Sequence, residues 1–245
     1  MKIINAGYEI LRPNPIDGIA ELKHLELCAR TAYKSEDKIT EDGESAKRMI
    51  KRLIESGHES TLEHGGMTVK FIVDRGVSHE IVRHRLASYT QESTRYCNYS
   101  KDKFGNEITV IDPAPMLEPY DDYPEVLIGY NTWYDACYDA EKRYFEMLDK
   151  GCSPQEARSI LPNSLKTEVI MTANWREWRH FLKLRTSPRA HPQMREIALK
   201  IYKILKEKSA KAGLSESEFI RSAIKGYRIK EQPNELVLKF LRQLY

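Results

Sequence analysis

Arg83-His84-Arg85 opens a run, continued through Gln91-Glu92-Ser93-Thr94-Arg95-Tyr96, that concentrates cations and hydroxyl groups in one short stretch. A guanidinium stays charged and offers parallel donors in a fixed fork, which matches the oxygens of a phosphate. The chemistry suggested is capture of a phosphorylated small molecule. For an isolated Arg-His-Arg the solvated end of a basic helix is the stronger reading; the continuation through Ser93 and Arg95 shifts the balance to the phosphate reading. If the three residues were helical they would splay by about 100° each. They would then face different ligands, or a site formed where subunits meet.

Other chemistries fit poorly. His79-Glu80 is followed by His84 at i+5, which turns the second histidine roughly 140° from the first and denies them a shared metal. His58 and His64 are also badly spaced, so no metal is expected. The chain has no Gly-x-Gly-x-x-Gly, no phosphate-binding glycine loop and no Gly-x-Ser-x-Gly elbow. A nucleotide would be held by side chains and helix ends. Ser93 lacks a histidine at an activating spacing, which makes it a binding group and not a nucleophile. The stretch from Asn174 carries Arg176, His180 and Leu184 along one stripe, with Arg185 in the last turn, where the helix dipole favours a cation in any case.

The elements that must position these groups follow from periodicity and caps. Residues 1–11 read as an edge strand, and 67–73, 107–112 and 165–171 as further strands. Asp17 caps a first helix. A second spans 45–56 and stops at Gly57, and Ser60 with Glu63 has capping-box spacing for a third. Ser78 caps a helix running into Arg83, with Val77 and Val82 as its staple. A long helix occupies 124–150, with Leu127, Tyr130, Tyr134, Cys137, Tyr144 and Leu148 as a core or subunit-interface stripe. Ser153-Pro154-Gln155-Glu156 starts a short helix carrying Arg158, and Asn174 to Glu177 repeats the capping-box spacing. Helices from His191, Ser215 and Pro233 complete the chain. Few strands among many helices indicate an α+β class, an antiparallel-type sheet with packed helices, in one domain over 1–245.

Composition narrows the partners. The 245 residues carry a net charge of only +3, which argues against a broad nucleic-acid surface but allows a local anion pocket. Cys28, Cys97, Cys137 and Cys152 form no paired pattern, and no stretch approaches the roughly 20 apolar residues of a membrane span. A cytoplasmic protein without membrane partners is expected.

Arg83-His84-Arg85 followed after seven residues by Ser93 resembles the signature of the flavin-dependent thymidylate synthases. His58-Glu59-Ser60, Glu63-His64, Ser93-Thr94-Arg95-Tyr96, Glu156-Ala157-Arg158 and Leu161-Pro162 agree with it in order. Asn174-Trp175-Arg176, His180-Phe181 and Leu184-Arg185 resemble the family's second motif. The resemblance spans about 45–210 and implies a homotetramer with active sites shared between subunits. It implies bound FAD, with dUMP converted to dTMP, 5,10-methylenetetrahydrofolate as carbon donor, NADPH as reductant and tetrahydrofolate released. By motif position, Ser60, Arg83, His84, Arg85, Gln91, Asn174, Trp175, Arg176 and His180 would hold FAD. Glu80, Ile81, Val82, Arg83, Gln91, Glu92, Ser93, Thr94, Arg95, Arg158 and Arg185 would hold dUMP, and Arg185 would stabilise negative charge on the pyrimidine. A nucleotide- or RNA-binding module without catalysis and a flavin oxidoreductase acting on another substrate are the alternatives.

Overall fold

Met67, Val69, Phe71 and Val73 alternate with more polar residues, so one face of their strand is fully apolar and buried. The computed structural model describes residues 1–13, 17–113 and 123–211. In chain order the elements begin with strand β1 (Lys2–Ile4), strand β2 (Gly7–Arg12), helix α1 (Gly18–Thr31) and helix α2 (Glu44–Glu55). They continue with β3 (Gly66–Asp74), α3 (Arg75–Ile81), β4 (Ala87–Gln91), β5 (Thr109–Ile111) and the long α4 (Tyr123–Asp149). The last are α5 (Pro154–Ala157), β6 (Lys166–Asn174), α6 (Trp175–Arg185) and α7 (Pro192–Lys211). The helices expected from Ser215 and Pro233 lie outside the described residues.

Four strands form a sheet in the order β2-β3-β6-β4, with every pairing antiparallel. β3 and β6 run together along their whole length, from Gly66 opposite Asn174 to Asp74 opposite Lys166. A Cβ at Gly66 would stand 2.3 Å from the Ala173 carbonyl oxygen, so only glycine allows this close approach. β1 and β5 make a separate parallel pair. The single edge strand expected over 1–11 is thus two strands in two sheets, because the chain leaves extended pairing at Asn5-Ala6.

One core lies between the buried sheet face and the helices, where Phe71, Trp178 and Phe181 pack ring against ring beside Leu25, Ile50 and Ile197. A second gathers Val110, Leu165, Tyr99 and the α4 residues Cys137 and Tyr144. Each large apolar side chain so buried contributes about 1.5–3 kcal/mol. The α4 stripe is therefore partly core, while Tyr138 on the same helix stacks on Tyr134 and stays exposed. Leu127 lies outside the residues whose side chains are described.

Several caps are as expected. Asp17 accepts from the Ile19 and Ala20 amides, and the Ser153 amide donates to Glu156 at 2.8 Å. Others differ. The Ser60 segment is a 3-10 turn over Glu59–His64 with no side-chain cap, so its capping box does not form. α3 starts at Arg75, capped by Asp74 through the Val77 amide, because the strand passes directly into the helix. Ser78 is consequently inside that helix, and Val82 is exposed instead of stapling Val77. α3 also ends at Ile81, and Arg83 to Arg85 form a turn that leads into β4. The helical splay expected of Arg83, His84 and Arg85 does not apply.

Candidate active site

α3 runs back along the face of β4 that carries Tyr89 and Gln91. The Gln91 amide nitrogen donates to Ser78 Oγ at 3.0 Å and to Thr167 Oγ1 at 3.2 Å. Tyr89 Oη donates to the backbone carbonyls of Ile81 at 3.0 Å and His84 at 2.5 Å, clamping the turn between helix and strand. Burial, with the negative charge of Glu177, pushes the Tyr89 hydroxyl up to about 12, so it remains a donor at ordinary pH.

The turn separates its three basic residues by burial. His84 points inward and is 3% exposed, while Arg83 and Arg85 on either side of it are exposed. Among the described residues neither arginine forms an ion pair. The His84 ring is bonded at both ends. Nδ1 lies 2.9 Å from Glu177 Oε1, and Arg185 Nε donates to Nε2 at 3.0 Å. A guanidinium can only donate, so Nε2 holds the lone pair and Nδ1 carries the proton given to Glu177. Burial first, then the Arg185 charge, lowers the His84 pKa against the opposing pull of Glu177.

Arg185 is held on its other edge by Glu80. Nη1 donates to the carboxylate at 2.7 Å, and Nη2 to the Glu80 backbone carbonyl at 2.8 Å. The last turn of α6 is thereby locked to the last turn of α3, across 101 residues of sequence between Arg185 and His84. Asn174 caps α6 through the Glu177 amide. The Glu177 side chain does not turn back to complete the expected box; it goes to His84 instead. Sequence reasoning missed that role because capping spacing already accounted for the glutamate.

The 3-10 turn beside α6 supplies a second patch. Arg176 donates to Glu63 at 2.7 Å, Arg179 pairs with Glu59, and Ser60 is exposed between the two glutamates. Trp175 is buried and donates to Glu21 at 2.9 Å. His180 is exposed, with its ring edge-on to His84 at 5.7 Å between centroids. Ligand atoms of His84, Glu177 and His180 come within 4.8 Å of one another, but both His84 nitrogens are already committed, so the trio is not an open metal set.

Beyond β4 the chain turns through Ser93. β4 spans about 14 Å at the usual rise, which separates the Arg83–Arg85 turn from this end. Thr94 is buried and accepts from Arg158 at 3.3 Å, and Arg95 donates to Gln155 at 2.8 Å. The start of α5 and its following turn thus bring Arg95, Arg158 and Ser93 together. Arg95 also lies over the exposed Tyr96 ring. Glu92 departs from this group. It pairs with Lys166 at 3.0 Å and lines, with Lys2, Tyr99, Lys103 and Phe104, a cavity of about 310 Å³. Ile81 is buried in the core. Beside the expected Thr94, Gln155, Tyr89 and Glu177 carry the geometry, and only long-range packing identifies those three.

Residues 19–209 match the family described as thymidylate synthase complementing protein, and residues 199–245 match one described as mobilization protein NikA. The chain is similar to the flavin-dependent thymidylate synthase of Pyrococcus abyssi, at 34% identity over 76% of this chain and 72% of that one. It is similar to that of Geobacter sulfurreducens at 31% identity, covering 74% and 75% of the two chains. Among solved structures, a UMP/dUMP methylase from Streptomyces cacaoi, bound with 5-Br dUMP, shares the fold at a TM-score of 0.68. The identity there is 23%, with 86% of this chain and 96% of that chain covered. No described helix is long and apolar enough to cross a membrane.

Proposed function

Because the chain belongs to the flavin-dependent thymidylate synthase family, we propose that it converts dUMP to dTMP with a flavin as bound cofactor. The flavin is FAD, 5,10-methylenetetrahydrofolate gives the carbon, NADPH gives the reducing equivalents, and tetrahydrofolate is released. The working unit is a cytoplasmic homotetramer of single-domain subunits with shared active sites. Exposed Leu86, Tyr96, Ile128 and Tyr138 support an apolar contact between subunits.

The donor set fits a flavin dinucleotide. Arg83 and Arg85 present two guanidinium groups without acidic partners among the described residues, and a diphosphate is the ligand such a pair suits. Ser60, Asn174, Trp175, Arg176 and His180 complete the group, with the buried Trp175 and His84 acting by holding their neighbours. A flavin held by these residues would supply the hydride chemistry, with NADPH as the source of reducing equivalents.

The chain's own residues bind and polarise dUMP. Arg95 and Arg158 face the phosphate, with Ser93 and Thr94 as hydroxyl donors beside them. Gln91, placed between Ser78 and Thr167, stands on the strand that joins the two ends of the site. Ile81 and Val82 shape the turn, and Glu92, next to Ser93 in the chain, is held away from the phosphate by Lys166. Methylation at C5 requires electron density on the pyrimidine, which ionisation at N3 supplies. A fixed cation stabilises that charge without reorganising as it forms. Arg185, held by Glu80 and His84, takes this role. The observation that carries the reading is this bridge, which brings the two motif regions to one place.

The test is dTMP synthesis from dUMP and methylenetetrahydrofolate, with and without FAD and NADPH. We expect a yellow protein and product only with both. A colourless protein that gains no flavin spectrum with FAD would overturn the reading. Flavin binding without dTMP would point to another substrate.

A further inference from the structure

We propose that Glu177 is a positioning residue for Arg185, acting through His84 by fixing which ring nitrogen of that histidine can accept a hydrogen bond. The inference rests on the role given to Arg185 above. It follows from donor and acceptor logic along one buried chain. Glu177 is 5% exposed and His84 3% exposed, so no bulk water competes for either. The carboxylate accepts from Nδ1–H at 2.9 Å, which leaves Nε2 with its lone pair directed at Arg185 Nε, 3.0 Å away. With the other tautomer, two N–H groups would meet and Arg185 would be pushed from its place.

Among the described residues, only Arg185 itself, whose Nε–H needs an acceptor at Nε2, also bears on the tautomer. His180 touches the His84 ring edge-on, and Phe181 lies against it at 4.9 Å between centroids; neither contact selects a nitrogen. Glu80 holds the two Nη groups of Arg185 but leaves Nε to His84 alone. The guanidinium plane is therefore defined from both edges only while Nε2 accepts. An arginine fixed on one edge swings about the Glu80 contact, and a misplacement near 1 Å costs a reaction on the order of 10²-fold.

Two substitutions separate this role from plain support of the fold. Glu177→Leu keeps the volume and removes the acceptor. Glu177→Gln keeps an oxygen that accepts from Nδ1–H, and Arg185 selects that amide orientation because it requires the lone pair at Nε2. We expect Glu177→Leu to lose about 10²-fold in kcat at little changed KM for dUMP. Glu177→Gln should stay within several-fold of the parent. In protein labelled with nitrogen-15 at histidine, the His84 ring should show Nδ1 protonated in the parent and in Glu177→Gln, and a mixture in Glu177→Leu.

A parent protein with Nε2 protonated, or a Glu177→Leu enzyme with unreduced kcat, overturns the proposal. So does an equal loss in both variants, which would make the charge and not the tautomer decisive. If the parent forms no dTMP, the functional reading fails by itself. The tautomer measurement still decides whether Glu177 orients Arg185. If Glu177→Leu does not fold, the ring signals and turnover of Glu177→Gln decide it.

Discussion

Arg185 and Arg83 both stand at the end of a helix beside the same turn, yet they are held in opposite ways. Arg185 ends α6 with three of its five N–H donors given to His84, the Glu80 carboxylate and the Glu80 carbonyl. Arg83, just past α3, is exposed and has no ion-pair partner among the described residues, as is true of Arg85. A guanidinium fixed before its ligand arrives loses no side-chain freedom at the moment of reaction. One left open must give up rotamer entropy on binding and keeps its full charge for an incoming anion. The first arrangement suits a residue whose position matters for chemistry, and the second suits a ligand grip.

That contrast is broken most severely at Arg185. Arg185→Ala removes the cation and leaves the His84 lone pair and the Glu80 carboxylate without their donor. We expect kcat to fall by roughly 10²–10³ with flavin still bound, as for loss of one preorganised donor. Arg185→Lys should recover little, because a point charge cannot bridge both partners. Flavin absorbance with single-turnover dTMP formation checks both variants, and near-normal turnover in either would assign the chemistry elsewhere.

The dUMP end sits between the two extremes. Arg158 donates to the buried Thr94 hydroxyl but keeps other donors for a ligand. Arg158→Ala should raise KM for dUMP about 10-fold to 100-fold, the worth of a hydrogen bond to a charged group. kcat should change much less. A loss confined to kcat would place Arg158 with the fixed arginines.

Much of this framework could be read from the chain. β3 and β6 are visible because Met67, Val69, Phe71 and Val73, and likewise Thr167, Val169 and Met171, alternate onto one buried face, with Leu165 just before β6 in the second core. The Asp17 and Ser153 caps are visible because they act over a few residues. β4 was hidden. It is a short edge strand of Ala87, Ser88, Tyr89, Thr90 and Gln91, none of them fully buried, so it shows no apolar rhythm. Its pairing with β6 and its neighbour α3 decide it. The candidate site was legible as a set of residue types, with arginines gathered in two motifs. Which arginine is fixed and which open was not, since it depends on contacts such as Glu177 with His84, 93 residues apart.

Smaller effects should follow from Arg83→Ala and Arg85→Ala. An exposed charge works through a screened field, so each loss should weaken flavin binding by roughly 5-fold to 10-fold at low salt. The difference from the parent should shrink as salt rises. A titration of the apoprotein with FAD at two ionic strengths gives the answer, and a salt-independent loss would mean that these arginines already have fixed partners in the assembly.

The mildest perturbation is a proton. The charged and titratable groups facing the His84 ring are Glu177, which favours the imidazolium, and Arg185 and His180, which oppose it. Burial is the largest influence, and the balance leaves the folded pKa below the ordinary value of 6.5. For a base with a depressed folded pKa, the unfolded chain binds the extra proton first. The stability contributed by neutral His84 is therefore complete above pH 6.5 and is lost as pH falls through the folded value. Protonation also puts an N–H on Nε2 against the Arg185 Nε–H, so the fixed arginine should be released over the same window while Arg83 and Arg85 are unaffected. Nitrogen-15 titration of His84 beside dTMP formation from pH 8 to 5 reads both events. We expect one midpoint, below 6.5, for ring protonation and for the acid loss of kcat, with flavin retained. A His84 midpoint above 6.5 would mean that Glu177 sustains an imidazolium, and an imidazolium cannot accept from Arg185.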